Sequence, residues 1–118
     1  MEFDRFSIAL LVLRPDRQRL DHEAEAELQN AHIAHLADLH EAGYSLAAGP
    51  LLRRTDETFR GLSILNVEPE KARALEERDP AVRAGRFSVK ILPWMVPRGA
   101  MHFSRTRFPR SAAEVAVD

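Results

Sequence analysis

The stretch RFSIALLVL at residues 5–13 constrains this chain more than any other. Successive side chains of a strand point to opposite faces. Phe6, Ile8, Leu10 and Val12 therefore fall on one face, and Ala9, Leu11 and Leu13 on the other. A strand apolar on both faces needs cover on both, because apolar surface left in water forfeits the main driving force of folding. The rest of the chain must supply two covering layers or recruit a neighbour. Arg14-Pro15-Asp16 ends the run.

Residues 21–42 carry the one long helical pattern. Asp21 is placed to cap it, Glu23 and Glu25 suit its positive end, and Leu28, His32, His35, Leu36 and Leu39 share one stripe at helical spacing. Gly43 stands where a left-handed cap residue is expected. YSLAAGPLL at 44–52 reads as a second strand that bends at Gly49-Pro50, RRTDET at 53–58 as a polar hairpin loop, and RGLSILNV at 60–67 as a third strand. Pro69 opens a short helix running to about Arg78, Asp79-Pro80 starts another helical turn, and Gly85 stops it. FSVKILPWM at 87–95 is the fourth strand.

From Pro97 the pattern fails. The chain thus divides into a domain at 1–97 and a tail at 98–118, basic and then rich in small residues, expected to be loose or laid on a neighbouring surface. The element order βαββαβ predicts an α+β, ferredoxin-like fold, an antiparallel sheet with helices on one face. The helices cover one side of the first strand, and no third layer remains for the other. The simplest solution is a homodimer packed sheet to sheet; the alternative is a monomer whose tail covers that face, less favoured because the tail holds few large apolar residues.

A length of 118 residues suits one domain, and a net charge of −1 gives no general attraction to nucleic acid or to acidic membranes. Arg105, Arg107 and Arg110 interleave with Phe103 and Phe108, but one such cluster on a near-neutral chain is poor support for nucleic-acid binding. It is expected to contact a partner subunit or to stay mobile. Cysteine is absent, which excludes disulfides and a thiolate nucleophile and fits a reducing compartment. The N-terminus lacks the basic region and cleavage site of a signal peptide, and no stretch reaches a membrane-spanning length, so the expected location is the cytoplasm. Gly-rich phosphate loops and Gly-x-Ser-x-Gly elbows are also missing, and no cofactor is expected.

His32 is the leading candidate for chemistry. A histidine on the inward stripe of a helix is either a core residue bonded to a carbonyl or a general acid–base group at the rim of a pocket. Asp79 is its candidate partner; it is equally an ordinary helix cap before Pro80, and the two roles are compatible. His32-x-x-His35 has the spacing of a two-histidine metal half-site, but no third ligand follows at a diagnostic interval, so metal is not expected. His22 and His40 fall off the inward stripe and are expected in solvent, with His40 suited to the negative helix end.

At these residues the chain resembles the YCII-related family. The resemblance runs through Ala31-His32-Ile33-Ala34, Leu39-His40-Glu41-Ala42-Gly43, Ala47-Ala48-Gly49-Pro50, and Asp79-Pro80 with Val82 and Ala84-Gly85. It implies a small cytoplasmic protein with a dimeric α/β-barrel form of the ferredoxin-like fold. It also implies that His32 and Asp79 line a pocket and act as catalytic residues, with His35, Gly49, Pro50 and Pro80 expected around a small-molecule ligand. The activity implied is of lyase or isomerase type on a small aromatic or lactone-like compound. The alternative is a dimeric module that binds a small ligand without turning it over. The Arg-rich tail and the extra His35 depart from the family pattern.

Overall fold

The two-faced strand lies inside the sheet. In the computed structural model, which describes residues 1–52 and 58–115, β1 (Phe3–Leu13) is paired antiparallel on both sides, with β3 (Phe59–Leu65) and with β4 (Phe87–Pro97). β2 (Ser45–Pro50) adds to the far side of β3, so the strands run in the order β2-β3-β1-β4. The polar hairpin loop expected at 53–58 falls, apart from Thr58, outside the described residues. The helices α1 (His22–Glu41), α2 (Pro69–Glu76) and α3 (Pro80–Arg83) pack on one side of the sheet, and α4 (Ala112–Val115) follows near the C-terminus. This is the α+β, ferredoxin-like arrangement.

Alternation along β1 decides what each layer holds. Ser7, Ala9 and Leu11 are buried beneath the helices. Ala9 joins a core of Leu39, Leu65, Ala72 and Leu75, while Leu11 joins Ala81 and Phe87. On the other face Ile8 sits between Ile64 and Leu92, Leu10 lies opposite Leu62, and Phe6 lies beside Trp94. That face is open enough to leave Leu92 38% exposed. Phe103 packs edge-on against Phe6 there, with ring centroids 5.6 Å apart.

Local signals place the helix ends. Asp21 accepts a hydrogen bond from the Ala24 amide at 2.8 Å, and Gly43 takes a φ of 88° beyond the last turn of α1, a conformation only glycine adopts freely. α2 stops at Glu76, short of the expected Arg78, because the next amides tighten to three-residue turns: Arg78 N–H donates to the Leu75 carbonyl and Asp79 N–H to the Glu76 carbonyl. That break swings Asp79 into the interior at the start of α3.

The tail corrects the expectation for His40. It lies along α1 of its own chain: Arg110 pairs with Asp38 at 2.9 Å and Glu41 at 2.7 Å, and the Ala112 amide donates to Asn30 Oδ1 at 2.8 Å. Exposed pairs of this kind add little individually. His40 contributes more, and it is not in solvent. Its ring is buried, with Nδ1 donating to the Ser45 carbonyl at 2.7 Å and Nε2 accepting from the Thr106 amide at 3.2 Å. Phe108 stacks on it with centroids 3.9 Å apart and planes 5° from parallel. A helical wheel of α1 alone leaves this face open; the tail covers it.

Leu65 is fully buried between the two packed helices and the sheet. Leu65→Ala is expected to destabilise the fold by about 2–5 kcal/mol, the range for a leucine cavity in a packed core. Urea denaturation followed by circular dichroism measures it, and a loss no greater than that of a surface substitution would contradict this core assignment.

Candidate functional site

α1 and the start of α3 bring His32 and Asp79 together across 47 positions of chain. His32 Nδ1 lies 2.6 Å from Asp79 Oδ2, and Asp79 is completely buried. The second carboxylate oxygen, Oδ1, accepts from the Ala81 amide at 2.9 Å, so one side chain caps α3 and holds the imidazole. An ionised carboxylate only accepts, so opposite one, Nδ1 carries the proton and Nε2 is the ring nitrogen without it. The Phe87 ring, 5.7 Å from the imidazole, packs beside it.

His32 lines a cavity of about 540 Å³. Ile33 and Leu36 of α1, Gly49 and Pro50 of β2, and Phe87 at the start of β4 form apolar walls, and Phe108 and Pro109 close the cavity from the tail. Ser63, Arg17, Arg60 and Arg86 supply polar groups. Gly49 and Pro50 thus stand at the cavity. His35 and Pro80 do not line it. His35 comes three residues, about 300° and 4.5 Å of helix, after His32 and turns toward the end of α2; Pro80 is held at the first position of α3.

His35 meets a residue that was not singled out from the sequence. Glu76 is only 1% exposed, and neither of its carboxylate oxygens has a hydrogen-bond partner; His35 Nε2 is likewise buried without one. One ligand atom each from His35, Glu76 and Asp79 lie within 4.8 Å of one another. The third donor missing from any diagnostic sequence interval is thus supplied by the fold, and this trio is where a metal would find three ligands among the described residues. Charge balance at Glu76 requires no more than a proton. Burial first, and then the neighbouring Asp79 carboxylate, push the Glu76 carboxyl up to about 7, while His32 opposes the shift. Burial also pushes the His35 imidazole below its usual range, against an opposing pull from Asp79. The signal for Glu76 was its position: it stands four residues after Ala72 and one after Leu75, on the buried side of α2.

A family model for the YCII-related domain matches residues 8–95, a span that includes His32, Glu76 and Asp79. The chain belongs to the YCII-related family. No curated protein matches the sequence significantly. Among solved structures, this YCII-related chain is similar to 5-chloro-2-hydroxyhydroquinone dehydrochlorinase from Burkholderia phenoliruptrix AC1100, determined in complex with 2,5-dihydroxybenzoquinone. The TM-score is 0.54 at 20% identity, covering 75% of this chain and 92% of the other, a likeness of fold. Phe108, Pro109 and Val115, which line the cavity, lie beyond the matched YCII-related span. No helix among the described residues is long and apolar enough to cross a membrane.

Glu76 should leave a signature in stability. Its folded-state pKa of about 7 stands above the ordinary 4.5, so the folded chain keeps a proton that the unfolded chain releases. Stability from this group is full below the unfolded pKa and is lost as pH rises toward 7, by a total of about 3 kcal/mol. His35 works in the opposite sense: its depressed pKa removes stability as pH falls through the ordinary histidine range. The difference between wild type and Glu76→Gln isolates the carboxyl. Denaturant unfolding from pH 5 to pH 8 is expected to show the variant gaining on the wild type as pH rises. A constant difference would mean that Glu76 is not held neutral.

Proposed function

We propose that this protein is a small acid–base enzyme of lyase or isomerase type acting on an aromatic or lactone-like compound. The carrying observation is the buried His32–Asp79 pair, anchored at one end as a helix cap and open at the other to a cavity of small-molecule size. In this reading His32 Nε2 removes a proton from a carbon or a phenolic oxygen of the substrate. The ring becomes an imidazolium, which the Asp79 carboxylate orients and stabilises. The proton then returns at another position, giving an isomer, or a leaving group departs with the electron pair, giving elimination. The structural neighbour supports this reading, since a dehydrochlorinase removes the elements of hydrogen chloride, and that enzyme was solved with a hydroxylated quinone.

Acid–base action is tested in deuterium oxide. Phenols and enolisable lactones incubated with the protein and followed by NMR are expected to exchange ring or α-carbon protons, and 5-chloro-2-hydroxyhydroquinone to release chloride. His32→Asn should lower the rate by about a hundredfold or more. Asp79→Asn, which keeps an acceptor for the α3 cap, should lower kcat while KM changes little. Unchanged rates in His32→Asn would refute the assignment; ligand binding without any exchange would make the protein a binding module.

We also propose that the chain works as a homodimer in the cytoplasm, with residues 1–97 as its domain. The open sheet face, with Phe6, Ile8, Leu10, Leu62, Ile64 and Leu92, is apolar where the helices leave it bare. A second copy packed sheet to sheet would cover it. Light scattering at micromolar concentration is expected to give the mass of two chains, and a stable monomer would reject the assembly.

A further inference from the structure

We propose that the cavity beside His32 is built to take a small monocarboxylate, with Arg60 as the group that receives its charge. This names a substrate class for the site and rests on the acid–base reading of the same cavity.

Arg60 owes its place to an irregularity in the sheet. Along the β1–β3 ladder Leu11 faces Gly61 and Val12 faces Phe59, so Arg60 is the extra residue on β3. A bulge breaks the strict alternation of a strand and re-aims the side chain it carries. Arg60 lines the same cavity as His32. Its Nε is buried and has no acceptor, and Arg60 makes no ion pair among the described residues.

The other two arginines of the cavity are engaged. Arg86 is paired with Glu25, and Arg17 Nη1 donates to the Arg14 carbonyl at 3.0 Å. Among the described residues, Arg60 alone of the three therefore brings a positive charge with a buried N–H that has no acceptor. Burying such a donor without an acceptor is unfavourable, and a ligand that supplies the acceptor recovers that loss. The edge of a guanidinium presents two parallel N–H groups, a spacing that matches the two oxygens of a carboxylate. Leu36, Phe87 and Phe108 offer apolar surface to the body of such a molecule, and a cavity of about 540 Å³ has room for a single ring. Arg60 would thus be a specificity-determining residue, fixing the acid while His32 reaches the reacting proton.

The test uses the full chain and matched ligands. Benzoate and 2-hydroxybenzoate are each titrated against benzamide and 2-hydroxybenzamide, with affinity read from amide chemical shifts in NMR. The wild type is expected to bind each acid at least about tenfold more tightly than its amide, a difference set by the charge-assisted contact. In Arg60→Gln the ratio of acid to amide affinity should fall to near one. Arg60→Lys, which keeps charge but not the paired edge, should retain part of the preference. The preference should persist in His32→Asn, because the anchor does not depend on the base. A wild-type ratio near one, a ratio that survives in Arg60→Gln, or no binding of either acid would overturn the proposal. Loss of the preference with proton exchange intact removes the anchor alone; absence of exchange with the preference intact leaves the anchor standing without the base.

Discussion

The interior of this protein is organised by one carboxylate that serves two donors. Asp79 has no exposure to water, and a carboxylate so buried persists only where hydrogen bonds replace its hydration. The Ala81 amide meets one oxygen and the His32 ring meets the other. The first bond ties Asp79 to the break between α2 and α3, and the second ties that break to the middle of α1. The position of α1 on the sheet, the orientation of the imidazole and the tautomer that leaves Nε2 available are consequences of the same pair of contacts.

Around this centre the local charge balance is tight. Glu76 stands close enough to Asp79 for the two carboxylates to repel, and both lie where water does not reach. Two buried negative charges side by side would be costly; one negative and one neutral acid are not. His35, also held neutral by burial, adds no compensating charge. In the cluster behind His32, burial and the neighbouring carboxylate thus favour the protonated form of Glu76, and burial the neutral form of His35.

Much of this architecture was legible in the order of residues, and what was not has definite physical causes. The two-faced run at 5–13, the Asp21 and Asp79 caps and the prolines at the starts of α2 and α3 are local signals, and each stands in the structure where its chemistry puts it. The pairing of His32 with Asp79 followed from the expense of an inward histidine, which needs a polar partner. His40 was misplaced because a helical wheel contains only the helix, whereas the burial of that ring depends on Thr106 and Phe108, far along the chain. Arg60 and Glu76 passed unremarked for a related reason. A charge in a strand or helix reads as a solvated face until its neighbours in space are known. One of these residues sits at a register shift and the other on a buried helix side, and neither condition is written in its immediate sequence.

The cavity is enclosed by parts of different standing. His32, Ser63 and the strand residues on one side lie within the YCII-related span, whereas Phe108, Pro109 and Val115 on the other side come from a segment after it. That segment is held by surface ion pairs, by amide hydrogen bonds to Asn30 and His40, and by ring contacts with His40 and Phe6. A change there that keeps those contacts remodels the space beside His32 and leaves the His32–Asp79 pair untouched. The wall that shapes the cavity and the pair that faces it thus belong to separate parts of the chain, and the one can change without the other.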